Sequence, residues 1–233
     1  MHEGNQRMSH KLEALIFDLD GVIADTAELH YRSWKRLADE EGMTFTRIDN
    51  EALRGITRQE SLKRFLRGRQ IDESTTQDWL RRKNDYFHEN LQGLTPDACL
   101  PGVARLLDDA RHYAIKCGVA SASRNARPVL EKLGMLGDFA VIGDGNTVAR
   151  SKPAPDIFLW VAERLGVDPS CTIVFEDSEA GVAAALTGEF HVVGIGSAAV
   201  ERAHLAVPDL SDVTLNSLMT WFSLDGGQVS RSG

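Results

Sequence analysis

The sequence predicts an α/β protein: a doubly wound, Rossmann-like parallel sheet with a helical cap domain inserted after its first strand. Three observations carry that expectation. Beyond Gly102, short apolar runs alternate with helical patterns, the rhythm of a parallel sheet covered by helices on both faces. Three helical patterns in succession separate the first apolar run from that alternation. Polar, chemistry-bearing residues follow the apolar runs, and such sheets bind ligands beyond the carboxyl ends of their strands.

The first strand lies in "LEALIFDLDGVIADT", Leu12 to Thr26. Leu12, Ala14, Leu15, Ile16 and Phe17 form an apolar run closed by a turn signal at Gly21. Strand alternation places Asp18 and Asp20 on one side and turns Leu19 away. Neighbouring carboxylates repel, so burying both requires a cation or a shared proton. Next, "TAELHYRSWKRLADEEG" reads as a helix, with Leu29, Trp34 and Leu37 on one stripe and Gly42 at its end. Trp34, Leu37 and Phe65 are expected to be core of the cap. "TRQESLKRFLRG" opens with a capping box, Thr57 and Glu60, and stops at Gly68. A third helical pattern runs from about Ser74 to Leu91, and "LQGLTPDACLPG" breaks it with Gly93, Pro96 and Pro101. Strand candidates follow in "AIKCGVA", "FAVIG", "CTIVF" and "FHVVGIG", with helices near Asn125–Leu133, Ala154–Leu165 and Glu179–Leu186. At least five strands result. The expected organisation is a core of residues 11–26 and 93–225, a cap of residues 27–92, and disordered tails at 1–10 and 226–233.

A chain of 233 residues, 42% apolar and 26% charged, has the composition of an ordinary globular protein. A net charge of −8 and a pI near 5.4 argue against general nucleic-acid or anionic-membrane binding. Residues 27–92 nevertheless carry 13 Lys and Arg against 12 Asp and Glu, while the remainder carries 13 against 22. Half the basic side chains thus fall in the predicted cap, opposite an acidic core. Cys99, Cys117 and Cys171 fit neither a disulfide framework nor a C-x-x-C metal site, and a reducing cytoplasm is the expected location. No secretory signal or transmembrane-length apolar run is present in the sequence.

The residues after the predicted strands form a chemically coherent set. Asp18 and Asp20 follow the first, Ser121, Ala122 and Ser123 the second, and Glu176 and Asp177 the fourth, while Lys152 lies past the third. Asp18, Asp20, Glu176 and Asp177 make a hard, all-oxygen cluster suited to Mg²⁺, and no His or Cys joins it to favour zinc. Lys152 offers a point charge, and Ser121 with nearby backbone N–H groups offers neutral donors. These are the parts that hold a transferring phosphoryl group. Asp18 is a competent nucleophile, and Asp20 can protonate the leaving oxygen and later deprotonate an attacking hydroxyl. Singly, each residue has a plainer reading: a turn serine, a solvated lysine, an N-cap in "EDS". Their joint occurrence, in order at strand ends, outweighs those readings.

"FDLDGVIADT", "SASRN", "KPAPDIF" and "FEDSEAG" resemble the four ordered motifs of the haloacid dehalogenase-like (HAD) phosphotransferase superfamily, across essentially residues 12–225. A dehalogenase would lack the second aspartate, so Asp20 points to phosphoryl transfer. Within the superfamily, "DTAELHYRSWKRLADEEG", "LRGITRQESL", "RRKNDYF" and "SASRN" are similar to segments of the β-phosphoglucomutase family. That family converts β-D-glucose 1-phosphate to glucose 6-phosphate through a bisphosphate intermediate, with Mg²⁺. The resemblance implies Asp18 as nucleophile, Asp20 as acid and base, and Mg²⁺ held by Asp18, Asp20 through its carbonyl, Glu176 and Asp177. It implies that Ser121 and Lys152 hold the transferring phosphate. Thr26, His30, Gly55, Arg58, Ser61, Lys83, Ser123 and Asn125 would assist closure or contact the sugar bisphosphate, with Arg54, Ala122 and Arg124 completing the substrate-contacting set. Arg54 and Arg124 stand where lysines are usual, which keeps the charge but changes reach and hydrogen-bond geometry. The implied partners are a phosphorylated sugar and a bisphosphate primer, bound by a monomer. A phosphatase for small sugar phosphates or phosphoglycolate would use the same four motifs, and a catalytically silent phosphosugar-binding protein is the remaining alternative.

Overall fold

The computed structural model describes residues 11–196 and 202–225, so both expected tails lie outside the described residues. The strands are β1 (Ala14–Phe17), β2 (Lys116–Ala120), β3 (Val141–Gly143), β4 (Thr172–Glu176), β5 (His191–Ile195) and β6 (Leu205–Val207). They form one all-parallel sheet in the order β3-β2-β1-β4-β5-β6. Between β1 and β2 come α1 (Ala27–Glu40), α2 (Arg47–Glu51), α3 (Arg58–Leu66), α4 (Glu73–Leu91) and α5 (Val103–His112). Later helices are α6 (Ala126–Leu133), α7 (Asp156–Leu165), α8 (Glu179–Thr187) and α9 (Leu215–Asp225).

Alternation along β1 divides the core between two faces. Leu15 and Phe17 pack with Leu106 of α5, Val129 of α6 and Phe222 of α9. Ala14 and Ile16 pack on the opposite face with Phe158 and Val161 of α7 and Val182 of α8. Both faces are therefore covered, as an all-parallel sheet requires. The inserted helices carry a third core of their own, built from Trp34, Leu37, Leu62, Phe65, Trp79 and Tyr86. Each such burial contributes about 1.5–3 kcal/mol, which lets this layer hold its shape under the sheet's crevice. Leu29, Phe87 and Leu91, near the two chain crossings, pack instead with the sheet's own core.

Several elements go beyond the expectation. β6 is three residues long and incompletely buried, too short to give a periodic signal. Helices α2, α5 and α9 were also outside the sequence reading. Thr57 accepts from the Glu60 amide at 3.2 Å as expected, but the fully reciprocal capping box is Thr46–Asp49 at the start of α2. There an aspartate takes the place usually filled by Glu or Gln. Cys117 is buried among apolar side chains, and that burial pushes its thiol up to about 12, the signature of an inert core residue. Among the described residues, no helix is long and apolar enough to cross a membrane.

Candidate active site

β1 has neighbours on both sides, β2 and β4, and the chain order reverses there, which makes its carboxyl end the crevice of the fold. Phe17 stacks on Phe175 with ring centroids 4.7 Å apart, and the Asp18 amide donates to the Phe175 carbonyl at 2.9 Å. The ladder therefore carries Asp18 one residue beyond the strand in a fixed position. Asp18 and Asp20 both line the cleft described below, with Leu19 turned into the core, as alternation predicts. The strand ends at Phe17, the chain turns at Gly21 (φ +88°), and the two carboxylates meet different partners.

Asp18 faces inward. Lys152 Nζ donates to Asp18 Oδ1 at 2.6 Å, to the Ala120 carbonyl at 2.9 Å and to Glu176 Oε1. Three acceptors thus use the three donors of an ammonium that is almost fully buried. Burial opposes the charge on Lys152, but the two carboxylates hold it above its ordinary range. Asp18 is raised well above the usual carboxylate range by burial, with Glu176, Asp20 and Asp177 adding to the effect and Lys152 opposing it. Asp177 is pushed up to about 7 by burial and the Glu176 charge, against the pull of Arg54.

Asp20 faces the inserted helices. Thr26 Oγ1 donates to its Oδ1, and His30 Nε2 lies 3.7 Å from the same oxygen. On the other side of the ring, His30 Nδ1 lies 2.9 Å from Lys83 Nζ. The Asp20 carboxylate, when ionised, can only accept, so the proton sits on Nε2, directed at Asp20, and Nδ1 accepts from Lys83 Nζ. Burial raises Asp20, but His30 and Thr26 overcome it and hold the carboxyl below its ordinary value. Burial lowers His30, reinforced by the Lys83 charge and opposed by Asp20. Burial together with the Arg58 charge brings Lys83 down to about 7.

A single cleft between core and inserted helices is lined by Asp18, Asp20, Thr26, His30, Arg54, Gly55, Arg58, Ser61, Lys83, Ala122, Ser123, Arg124 and Asn125. The other sequence-identified residues border it from behind. Lys152 and Glu176 are buried beneath Asp18, and Ser121 and Asp177 line two neighbouring cavities. Burial raises the obstacle to charge on Arg58, and Arg124 adds like charge, so its guanidinium is brought down to about 10.

Sequence reasoning missed some participants. Trp34 belongs to the core of the inserted helices, but its ring also lines the cleft, 5.5 Å from Lys83 Nζ. Asn84 Oδ1 accepts from Asn125 Nδ2 at 3.2 Å, joining α4 to the loop after β2. Ser178 caps α8 through the Gly181 amide and also donates to Glu176 Oε2 at 2.9 Å. Only the capping role is legible in "EDS"; the second partner comes from a neighbouring carboxylate whose direction the pattern does not give.

Asp18, Glu176 and Asp177 each offer a carboxylate oxygen, all within 4.8 Å of one another. This oxygen-only donor set, with Asp18 and Asp177 pushed up by burial and by neighbouring carboxylates, Glu176 foremost, fits a hard divalent cation such as Mg²⁺. Asp20 contributes no side-chain oxygen to the group, in keeping with a carboxylate directed at Thr26 and His30.

The glycine after the motif is part of this construction. A Cβ on Gly181 would lie 1.8 Å from Glu176 Oε1. Gly→Ala inside a helix ordinarily stabilises by about 0.5–1 kcal/mol. Here the sign should reverse, because the displaced carboxylate holds Lys152 and accepts from the Asp177 and Ser178 amides at 3.0 Å. Gly181→Ala is expected to cost at least about 2 kcal/mol and lower Tm by at least about 4 °C. A raised Tm in calorimetry would show that Glu176 is not held in this way.

A buried carboxylate–lysine–carboxylate cluster at the switch point of a doubly wound sheet, roofed by inserted helices, is the candidate active centre of an α/β enzyme fold. Comparison with known proteins makes the class specific. The family model for haloacid dehalogenase-like hydrolases matches residues 12–187. The β-phosphoglucomutase of Bacillus subtilis (strain 168) is 41% identical over 212 residues, covering 89% of this chain and 94% of that protein. A phosphorylated carbohydrates phosphatase of Thermotoga maritima is 32% identical over 203 residues, covering 86% and 88%. Among solved structures, a β-phosphoglucomutase from Clostridium difficile superposes with a TM-score of 0.88 at 36% identity, covering 91% of this chain and 98% of that one. The chain belongs to the haloacid dehalogenase-like hydrolase family.

Proposed function

We propose that the protein is a β-phosphoglucomutase, interconverting β-D-glucose 1-phosphate and glucose 6-phosphate through an aspartyl-phosphate enzyme and a β-glucose 1,6-bisphosphate intermediate. The observation that carries this reading is a pair of cationic positions around one cleft. Lys152 lies buried behind Asp18 at one end; at the other, Arg58 from α3 and Arg124 from the loop after β2 line the cavity itself. Among the described residues, neither arginine forms an ion pair with a carboxylate. Two like charges brought together, one of them half-buried, are stabilised by an anion such as a distal phosphate. A bisphosphate requires such a second site whichever way round the sugar lies.

In this mechanism Asp18 attacks phosphorus, and Lys152 with Ser121 holds the transferring group. Asp20 supplies a proton to the departing sugar oxygen and recovers it from the hydroxyl that attacks in reverse. Thr26 and His30 fix its carboxylate, and Lys83 fixes the His30 tautomer. Mg²⁺ held by Asp18, Glu176, Asp177 and the Asp20 carbonyl would supply charge stabilisation at the transferring group. Residues 27–92 act as a cap whose closure excludes water, which separates transfer to sugar from hydrolysis. Similarity to the Thermotoga phosphatase favours a second reading, a sugar-phosphate phosphatase.

Incubation with β-glucose 1-phosphate, Mg²⁺ and bisphosphate primer distinguishes the two. Glucose 6-phosphate is expected; glucose with inorganic phosphate would establish the phosphatase. Arg58→Ala removes one charge-assisted contact to the distal phosphate, worth about 1.5–3 kcal/mol. It should lower mutase kcat/KM roughly 10–100-fold and leave transfer from acetyl phosphate, which has no distal phosphate, nearly unchanged. Equal losses on both donors, or none, would remove Arg58 from this role.

A further inference from the structure

We infer that Arg54 is a built-in competitor of the divalent cation for Asp177, so that metal affinity and cap position are coupled through one ion pair. The inference rests on Asp177 being a metal ligand, as proposed above. Arg54 belongs to the segment between α2 and α3, and its Nη2 donates to Asp177 Oδ2 in the core. Its Nη1 donates at 3.1 Å to Glu51 Oε2, which aims the fork across the domain gap. The Asp177 carboxylate is only 6% exposed, so this guanidinium is a near neighbour of a nearly buried charge. Space for the pair comes from Gly21, where a Cβ would lie 2.0 Å from Asp177 Oδ2 and 2.5 Å from Arg54 Nη2.

Arg54 also stands on a wall between two spaces. It lines the sugar cleft with Asp18 and Asp20, and it lines a separate cavity of about 280 Å³ that reaches Asp177 from the other side. A cation entering by that cavity meets Asp177 already neutralised by Arg54. Two positive groups close to one buried carboxylate repel, so binding of one weakens the other. Coupling of this kind is reciprocal: whatever the arginine costs the metal, the metal costs the contact between cap and core. Lysine at the same position keeps the charge but cannot bridge Glu51 and Asp177 with a rigid fork.

The test is Mg²⁺ binding, measured by isothermal titration calorimetry on substrate-free wild type, Arg54→Ala and Arg54→Lys. Removing the guanidinium should tighten Mg²⁺ at least tenfold, with the lysine variant between the two. Small-angle scattering gives the reciprocal readout: saturating Mg²⁺ should enlarge the wild-type radius of gyration and leave that of Arg54→Ala unchanged. Equal or weaker Mg²⁺ binding by Arg54→Ala overturns the competition, and a wild-type radius insensitive to Mg²⁺ overturns the coupling. Failure of all three proteins to bind Mg²⁺ would overturn the metal reading and this inference with it. None of these readouts depends on whether the enzyme is a mutase or a phosphatase.

Discussion

Asp18→Asn is expected to abolish phosphoryl transfer from every donor, by at least about 10³-fold, without loss of the fold. An amide nitrogen or oxygen cannot replace the carboxylate as nucleophile, so sugar phosphates and acetyl phosphate should fail alike. The substitution is isosteric, and the Asp18 amide bond to Phe175 does not involve the side chain. Lys152 retains Glu176 and the Ala120 carbonyl as acceptors. Burial and the surrounding carboxylates oppose ionisation of Asp18, so a neutral replacement relieves crowded charge while giving up one lysine contact. Tm should therefore stay near the wild-type value or rise. Intact-mass analysis after incubation with acetyl phosphate should show one added phosphoryl group on the wild type and none on the variant. A phosphorylated Asp18→Asn protein would place the nucleophile elsewhere.

The fold was legible wherever burial sets the residue pattern. β1, β2, β4 and β5 are buried on both faces, so their apolar runs are continuous, and Gly or polar residues mark their ends. β6 was not legible because a partly exposed strand of three residues has no room for a period. Most of the candidate site was legible because Asp18, Ser121, Glu176 and Asp177 sit at or just after strand ends, where sequence position and spatial position coincide; Lys152, in the loop beyond β3, is the exception. Asp177, Ser121 and Lys152 fall outside the cleft proper, since strand-end position does not say which wall of a crevice a side chain forms. Pairings across the domain gap were least legible. Asn84 with Asn125 and Arg54 with Asp177 join residues 41 and 123 positions apart, and no local periodicity links them. Alternation put Asp20 on the same side as Asp18 with Leu19 turned away, and both carboxylates do line the cleft while Leu19 is in the core. What no local pattern gave was the pairing of Asp20 with Thr26 and His30.

That difference in partners between the two aspartates yields the second large effect. Asp20→Asn is expected to cut turnover of glucose phosphates about 10²–10⁴-fold, the range for loss of a general acid and base. The loss should shrink to less than about tenfold with p-nitrophenyl phosphate, whose leaving group departs without a proton. Asn keeps a carbonyl oxygen able to accept from Thr26 Oγ1 and His30 Nε2, so the local geometry should survive while proton transfer does not. The carboxylates that converge for a metal are Asp18, Glu176 and Asp177, so Mg²⁺ affinity should stay within a few-fold of wild type. Paired measurements on the two donors, with Mg²⁺ titration of the same protein, decide between proton transfer and metal organisation. A donor-independent loss accompanied by weakened Mg²⁺ binding would assign Asp20 to the metal, because a ligand's removal weakens every transfer equally. A donor-dependent loss with intact Mg²⁺ binding assigns it to the proton, since only the leaving group's need for one differs between the substrates.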